Sequence, residues 1–107
     1  MRAIERKKLL TLIAPRELQR LLLDTLQRRG IGGYTVVPAS GAGASGLQSG
    51  MLDADSNVVI YIILSEPRLL AVYEDIDRLM RAGYRVKAFS HDIDILPRKP
   101  RGPEGGT

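Results

Sequence analysis

Val58-Val59-Ile60-Tyr61-Ile62-Ile63-Leu64 is an unbroken apolar run, rich in β-branched residues and closed by Ser65 and Pro67. Its length and composition predict a strand. On alternate residues Val58, Ile60, Ile62 and Leu64 project one way and Val59, Tyr61 and Ile63 the other. Neither set suits water, so both faces of the strand must be covered. One layer of helices covers one face only, and the other is expected to be buried against further copies of the chain. Burying three or four such side chains contributes about 1.5–3 kcal/mol each.

Downstream, Ser65 is placed to cap a helix with Pro67 in its first turn. Leu69, Val72, Tyr73, Ile76 and Met80 form its apolar stripe and Gly83 lies past its end. Arg85-Val-Lys-Ala-Phe89 alternates as a fourth strand. Asp92-Ile-Asp-Ile-Leu96 alternates again before Pro97. Upstream, Lys8 to Ala14 is a short apolar strand closed by Pro15. Leu18, Leu21, Leu22 and Leu26 then recur at helical spacing as far as Arg29, with Gly30 beyond. Tyr34 to Val37 makes a short second strand before Pro38. The order β-α-β, loop, β-α-β predicts an α+β, ferredoxin-like βαββαβ fold, an antiparallel sheet with both helices on one face.

The chain has 107 residues, which allows a single domain, taken here as 1–97 with a Pro/Gly-rich tail at 98–107. It has no cysteine, which excludes disulfides and thiolate metal sites. The single His91 lacks a second His to share a metal and reads as an ordinary polar residue. No apolar run approaches the roughly 20 residues of a membrane span, so a soluble, cytoplasmic protein is expected. Sixteen Lys and Arg against 12 Asp and Glu give +4, a balance open to phosphate ligands or nucleic acid. Arg2, Arg6, Lys7 and Lys8 near the start, and Arg98, Lys99 and Arg101 near the finish, read as solvated charge.

Between the second and third strands, nine of the eleven residues Ser40-Gly-Ala-Gly-Ala-Ser-Gly-Leu-Gln-Ser-Gly50 are Gly, Ala or Ser. Such a segment buries little, and a loop to about Ser56 is expected. Gly41, Gly43, Gly46 and Gly50 let backbone N–H groups converge on an anion, with Ser40, Ser45 and Ser49 adding donors. An inert linker has the same composition. No Gly-Lys-Ser or Gly-Lys-Thr follows, which excludes the nucleoside-triphosphatase phosphate loop. Fixing eleven such residues costs on the order of 10–20 kcal/mol of backbone entropy, so order is expected to come with a bound ligand or partner. On the fourth strand Lys87 and Phe89 share a face, with Ser90 beyond. On the residues alone they read as a surface lysine and a core phenylalanine.

Tyr34-Thr-Val-Val37, Ala39-Ser-Gly-Ala-Gly43, Ser49-Gly50 and the tail Arg101-Gly-Pro-Glu-Gly-Gly106 together resemble PII-type signalling proteins. The similarity is to the PII-like branch associated with bicarbonate transporters and carboxysomes. That resemblance implies a homotrimer binding ADP, AMP, ATP or cAMP in clefts between subunits, with the T-loop at about 40–56 engaging a partner. It places Thr35, Gly41, Gly43, Ser45, Gly46, Ser49 and Gly50 at the nucleotide from one side. Lys87, Phe89 and Ser90 border it from the other, and Arg98 and Arg101 fold over the phosphates. Bicarbonate would fall to Gly46, Gln48 and Ser49. The implied partner is a bicarbonate transporter or carboxysome-related protein, and the implied location is cytoplasmic, at the carboxysome or peripheral to a membrane transporter.

Two departures from the family pattern stand out. Arg101 and Gly106 replace the tail cysteines of some relatives, which removes thiol control, and Ser45 and Gln48 stand where some relatives carry T-loop arginines. No metal, catalytic residue or nucleic-acid partner is implied. An RNA-recognition module has the same element order but wants aromatics on its first and third strands, where only Tyr61 is found. A phosphohydrolase would need an acid and base pair or a metal cluster, and neither is visible.

Overall fold

Among the described residues, chain reversals are marked by glycine, proline or a polar residue: Pro15, Gly30, Ser65 and Gly83. The computed structural model describes residues 1–41 and 56–98. Strand β1 spans Glu5–Pro15, and a 3-10 turn at Arg16–Leu18 leads into helix α1, Gln19–Arg28. Strand β2 is Thr35–Ala39, β3 is Asn57–Leu64, helix α2 is Glu66–Arg81 and β4 is Lys87–Ile95. The strands form one antiparallel sheet in the order β2-β3-β1-β4.

The core lies between the sheet and the two helices. Leu10, Leu12 and Ala14 of β1 pair in register with Ile62, Ile60 and Val58 of β3. This sheet of side chains meets Leu22 and Leu26 of α1 and Leu69, Val72 and Ile76 of α2, all buried. The helical stripe is narrower than its spacing suggested, because Met80 lies at the outer end of α2 and is 49% exposed. Both helices end in the same way. Gly30 (φ 77°) donates to the Gln27 carbonyl and Ile31 to Leu26, while Gly83 (φ 103°) donates to Met80 and Tyr84 to Leu79. These are Schellman closures, in which the left-handed residue must be one without a Cβ penalty. Ser65 occupies the N-cap position of α2, but its side chain makes no capping bond.

Three further sequence expectations are corrected. The alternations at 85–89 and 92–96 are one continuous strand, because β1 is long enough to pair with all of it, from Ile13 opposite Lys87 to Glu5 opposite Ile95. Strand β2 runs through Pro38, which an edge strand tolerates since its missing N–H is not needed on the open side. Of the basic N-terminal residues, Arg6 and Lys8 are not merely solvated. Arg6 and Lys8 stand opposite Asp94 and Asp92 in the β1–β4 ladder and pair with them, Arg6 Nε donating to Asp94 at 2.7 Å.

The T-loop expectation lies largely outside the described residues. Gly43, Ser45, Gly46, Gln48, Ser49, Gly50 and Arg101 all fall there, whereas Thr35, Gly41, Lys87, Phe89, Ser90 and Arg98 are described.

Candidate functional site on the open face of the sheet

The face of the sheet away from the helices carries the second side-chain set of every strand, and register fixes which residues lie side by side. Thr35 pairs with Tyr61, Tyr61 with Thr11, and Thr11 with Phe89, so these four form one row across all four strands. The next row is Val37, Val59, Ile13 and Lys87. Much of this face is apolar and uncovered within the chain: Val37, Tyr61, Ile63 and Phe89 are each 40% or more exposed. Phe89 is therefore not a core residue, and of its two readings the structure removes the buried one.

Lys87 and Phe89 project together from β4, two residues apart on the open face, and Lys87 is exposed. Ser90 points to the helix side, where its hydroxyl accepts a hydrogen bond from the Tyr73 hydroxyl at 2.6 Å. That bond ties β4 to α2 and sets the facing of Lys87 and Phe89 by alternation. Thr35 and Gly41 lie on and just beyond β2, and among the described residues other than its chain neighbours nothing comes within 4 Å of where a Gly41 Cβ would stand. Arg98 lies past the far end of β4. The eight residue steps from Lys87 to Ile95 already span roughly 26 Å.

The described candidate residues thus separate into two groups at opposite edges of one sheet. Thr35 and Gly41 belong to the β2 edge, Lys87 and Phe89 to the β4 edge, and β3 and β1 lie between. Three strand spacings put them about 14 Å apart. Within one chain the two groups do not come together. Thr11 and Tyr61, which sequence reasoning did not select, occupy the row between Thr35 and Phe89, and only the pairing register reveals them.

The electrostatics at the other end of β4 are settled by pairs. Lys8 binds Asp92 at 2.5 Å, and that bond and charge hold the Asp92 carboxyl below the usual carboxylate range while raising the Lys8 ammonium. The signal for this ladder was present as basic residues at 6 and 8 and acidic ones at 92 and 94, both at strand spacing. Among the described residues no group of three or more His, Asp or Glu side chains is placed to hold a metal. None of the described helices is long and apolar enough to cross a membrane.

Two helices on one side of a four-stranded antiparallel sheet, with the other side open, define the ferredoxin-like α+β fold. The chain belongs to the nitrogen regulatory protein P-II family, whose model matches residues 7–96. Among solved structures it is similar to CPII, a nitrogen regulatory PII-like protein from Thiomonas intermedia bound to ADP, AMP and bicarbonate. That likeness has a TM-score of 0.79 and 26% identity, over 91% of this chain and 94% of that one. The same protein bound to ADP and bicarbonate matches with TM-score 0.79 and 26% identity, over 91% of this chain and 95% of that one. A PII-like signalling protein from Thermus thermophilus matches with TM-score 0.73 and 25% identity, covering 90% of this chain and 94% of that one. None of the curated proteins compared with the chain matches it.

Proposed function

We propose that this chain is a regulatory sensor that binds an adenine nucleotide, ADP, AMP, ATP or cAMP, in clefts between the subunits of a homotrimer. The observation that carries the reading is the likeness, over nine-tenths of the chain, to a PII-like protein that holds ADP, AMP and bicarbonate. The placement of the two candidate groups at opposite edges of the sheet supports it. A contact of the β2 edge of one copy with the β4 edge of the next is heterologous, and such contacts close into a ring when the rotation permits. Three copies arranged in this way turn their open faces inward, covering Val37, Tyr61, Ile63 and Phe89. They also bring Thr35 and Gly41 of one copy to Lys87 and Phe89 of another.

In this reading Lys87 meets the phosphates as a point charge and Phe89 borders the base. Residues 41–50 supply backbone N–H groups to phosphate or to bicarbonate, the latter at Gly46, Gln48 and Ser49, and Arg98 and Arg101 reach the phosphates from the tail of a different copy than the one supplying Lys87, since β4 separates the two within a chain by roughly 26 Å. The output is a change in the T-loop, since a ligand that contacts only one loop conformation shifts the population toward it. A bicarbonate transporter or a carboxysome-related protein is the proposed partner, and the cytoplasm the proposed location. No catalytic step is required.

Calorimetric titration of AMP, ADP, ATP and cAMP, each with and without bicarbonate, tests this. Binding of at least one nucleotide at about micromolar Kd or tighter is expected, at one site per chain. Failure of all four to bind at millimolar concentration would overturn it.

A further inference from the structure

A charged cleft lies on the helix side of the molecule, between α1 and α2. It encloses about 340 Å³ and is lined by Thr25, Arg28, Arg29, Asp75, Arg78 and Leu79. Three guanidinium groups face one carboxylate. Arg29 binds Asp75 through two hydrogen bonds, of 2.7 and 2.9 Å, and Arg78 shares the same carboxylate. Asp75 is thereby fully engaged, its side chain only 13% exposed. Arg28 is left with a single long bond, at 3.4 Å, to the Thr25 hydroxyl, which itself donates to the Leu21 carbonyl. The carbonyls at the end of α1, which would repel an anion, are partly occupied: Arg68 donates to those of Arg29 and Gly30. Of the nearby acids, Glu74 lies on the Arg29 side and Asp77 is paired with Arg81 at 3.0 Å.

We infer that this cleft is a second anion site, taking a phosphate or pyrophosphate group, free or carried by a small metabolite. Three positive charges against one negative leave the lining at +2, which a phosphate-type dianion balances. Guanidinium forks match the oxygen spacing of phosphate and donate pairs of parallel hydrogen bonds to it. Arg28 is the least engaged fork, held only by its long bond to Thr25, Arg78 the one that can turn from Asp75 to share the ligand, and Leu79 the apolar wall. The inference does not rest on the nucleotide reading, since no residue of this cleft lies on the open face of the sheet.

Arginine Nε–Hε resonances of the full-length protein, titrated with pyrophosphate at about 0.15 M salt, read the site directly. Saturable shifts of Arg28 and Arg78 are expected. Arg28→Gln should weaken the binding seen at Arg78 by about tenfold, the loss of one charge-assisted fork. Arg28 is exposed, so the variant should fold. Arg20→Gln, in the mixed-charge groove on another face of α1, should leave the affinity unchanged. The same titration with AMP distinguishes a carried phosphate from a free one. Lack of saturable shifts at Arg28 and Arg78, unchanged affinity in Arg28→Gln, or equal weakening by Arg20→Gln would each overturn the site.

Discussion

Asp75 joins two elements through one carboxylate, because Arg29 follows α1 and Arg78 lies one turn further along α2. The Arg29 hydrogen bonds, with the charges of Arg29, Arg78 and Arg28, outweigh the opposing effect of burial and hold the Asp75 carboxyl below its ordinary range. A carboxyl depressed in the folded state stabilises fully above its unfolded value, about pH 4, and the contribution fades as the pH falls through the folded value. Asp75→Asn should therefore lower stability at neutral pH by about 1–2 kcal/mol, the pair being discounted for the exposure of both arginines. It should also flatten the decline in thermal midpoint below pH 4, which melting curves from pH 2 to 7 would show. At the open face the expectation is the opposite: Lys87 is exposed and no ion pair in the described structure uses it. Lys87→Gln should leave the melting temperature unchanged while weakening nucleotide binding about tenfold, as calorimetry on the variant would show.

At the scale of elements, the sequence made the helices legible because apolar spacing and a following glycine agree at both. Leu22 and Leu26, and Leu69, Val72 and Ile76, are the buried residues their spacing indicates. Gly83 then carries a sharp expectation. Nothing lies within 4 Å of its absent Cβ, so Gly83→Ala meets only the backbone penalty at φ 103°. It should cost about 1–2 kcal/mol in urea unfolding with an unchanged m-value. Strand extents were less legible. Polar residues at Ser90, His91 and Asp92 interrupt the apolar alternation of β4, although the backbone continues. What keeps it extended is non-local: β1 pairs along its whole length, and Lys8 and Arg6 bind Asp92 and Asp94. Residues more than 80 positions apart make those bonds, and no local pattern contains them. Core truncation should be costly throughout this layer. Ile60→Ala, at a fully buried position in β3, should remove about 2–5 kcal/mol.

For the whole molecule, the two-sided apolar character of Val58 to Leu64 led to the expectation of a covering for the second face, and the structure shows which apolar residues are exposed there. Ile63 is 53% exposed and faces away from both helices. Ile63→Glu should leave the fold of a single chain intact while placing three carboxylates near one another in the proposed ring. Light scattering should then show a smaller particle than for the parent protein. The candidate site was only half legible. Lys87 and Phe89 could be assigned to one face from alternation, but sheet order, which puts them at the opposite edge from Thr35, is not a local property. Glycine spacing alone also cannot distinguish an anion-binding loop from a linker. In the proposed ring the site exists only between copies. Native mass spectrometry of the full-length chain with ADP or AMP tests it most directly, since it counts protein and ligand together. A trimer carrying up to three nucleotides is the expected species, with no nucleotide on any residual monomer. A monomer that binds nucleotide by itself, or a trimer that binds none, would contradict it.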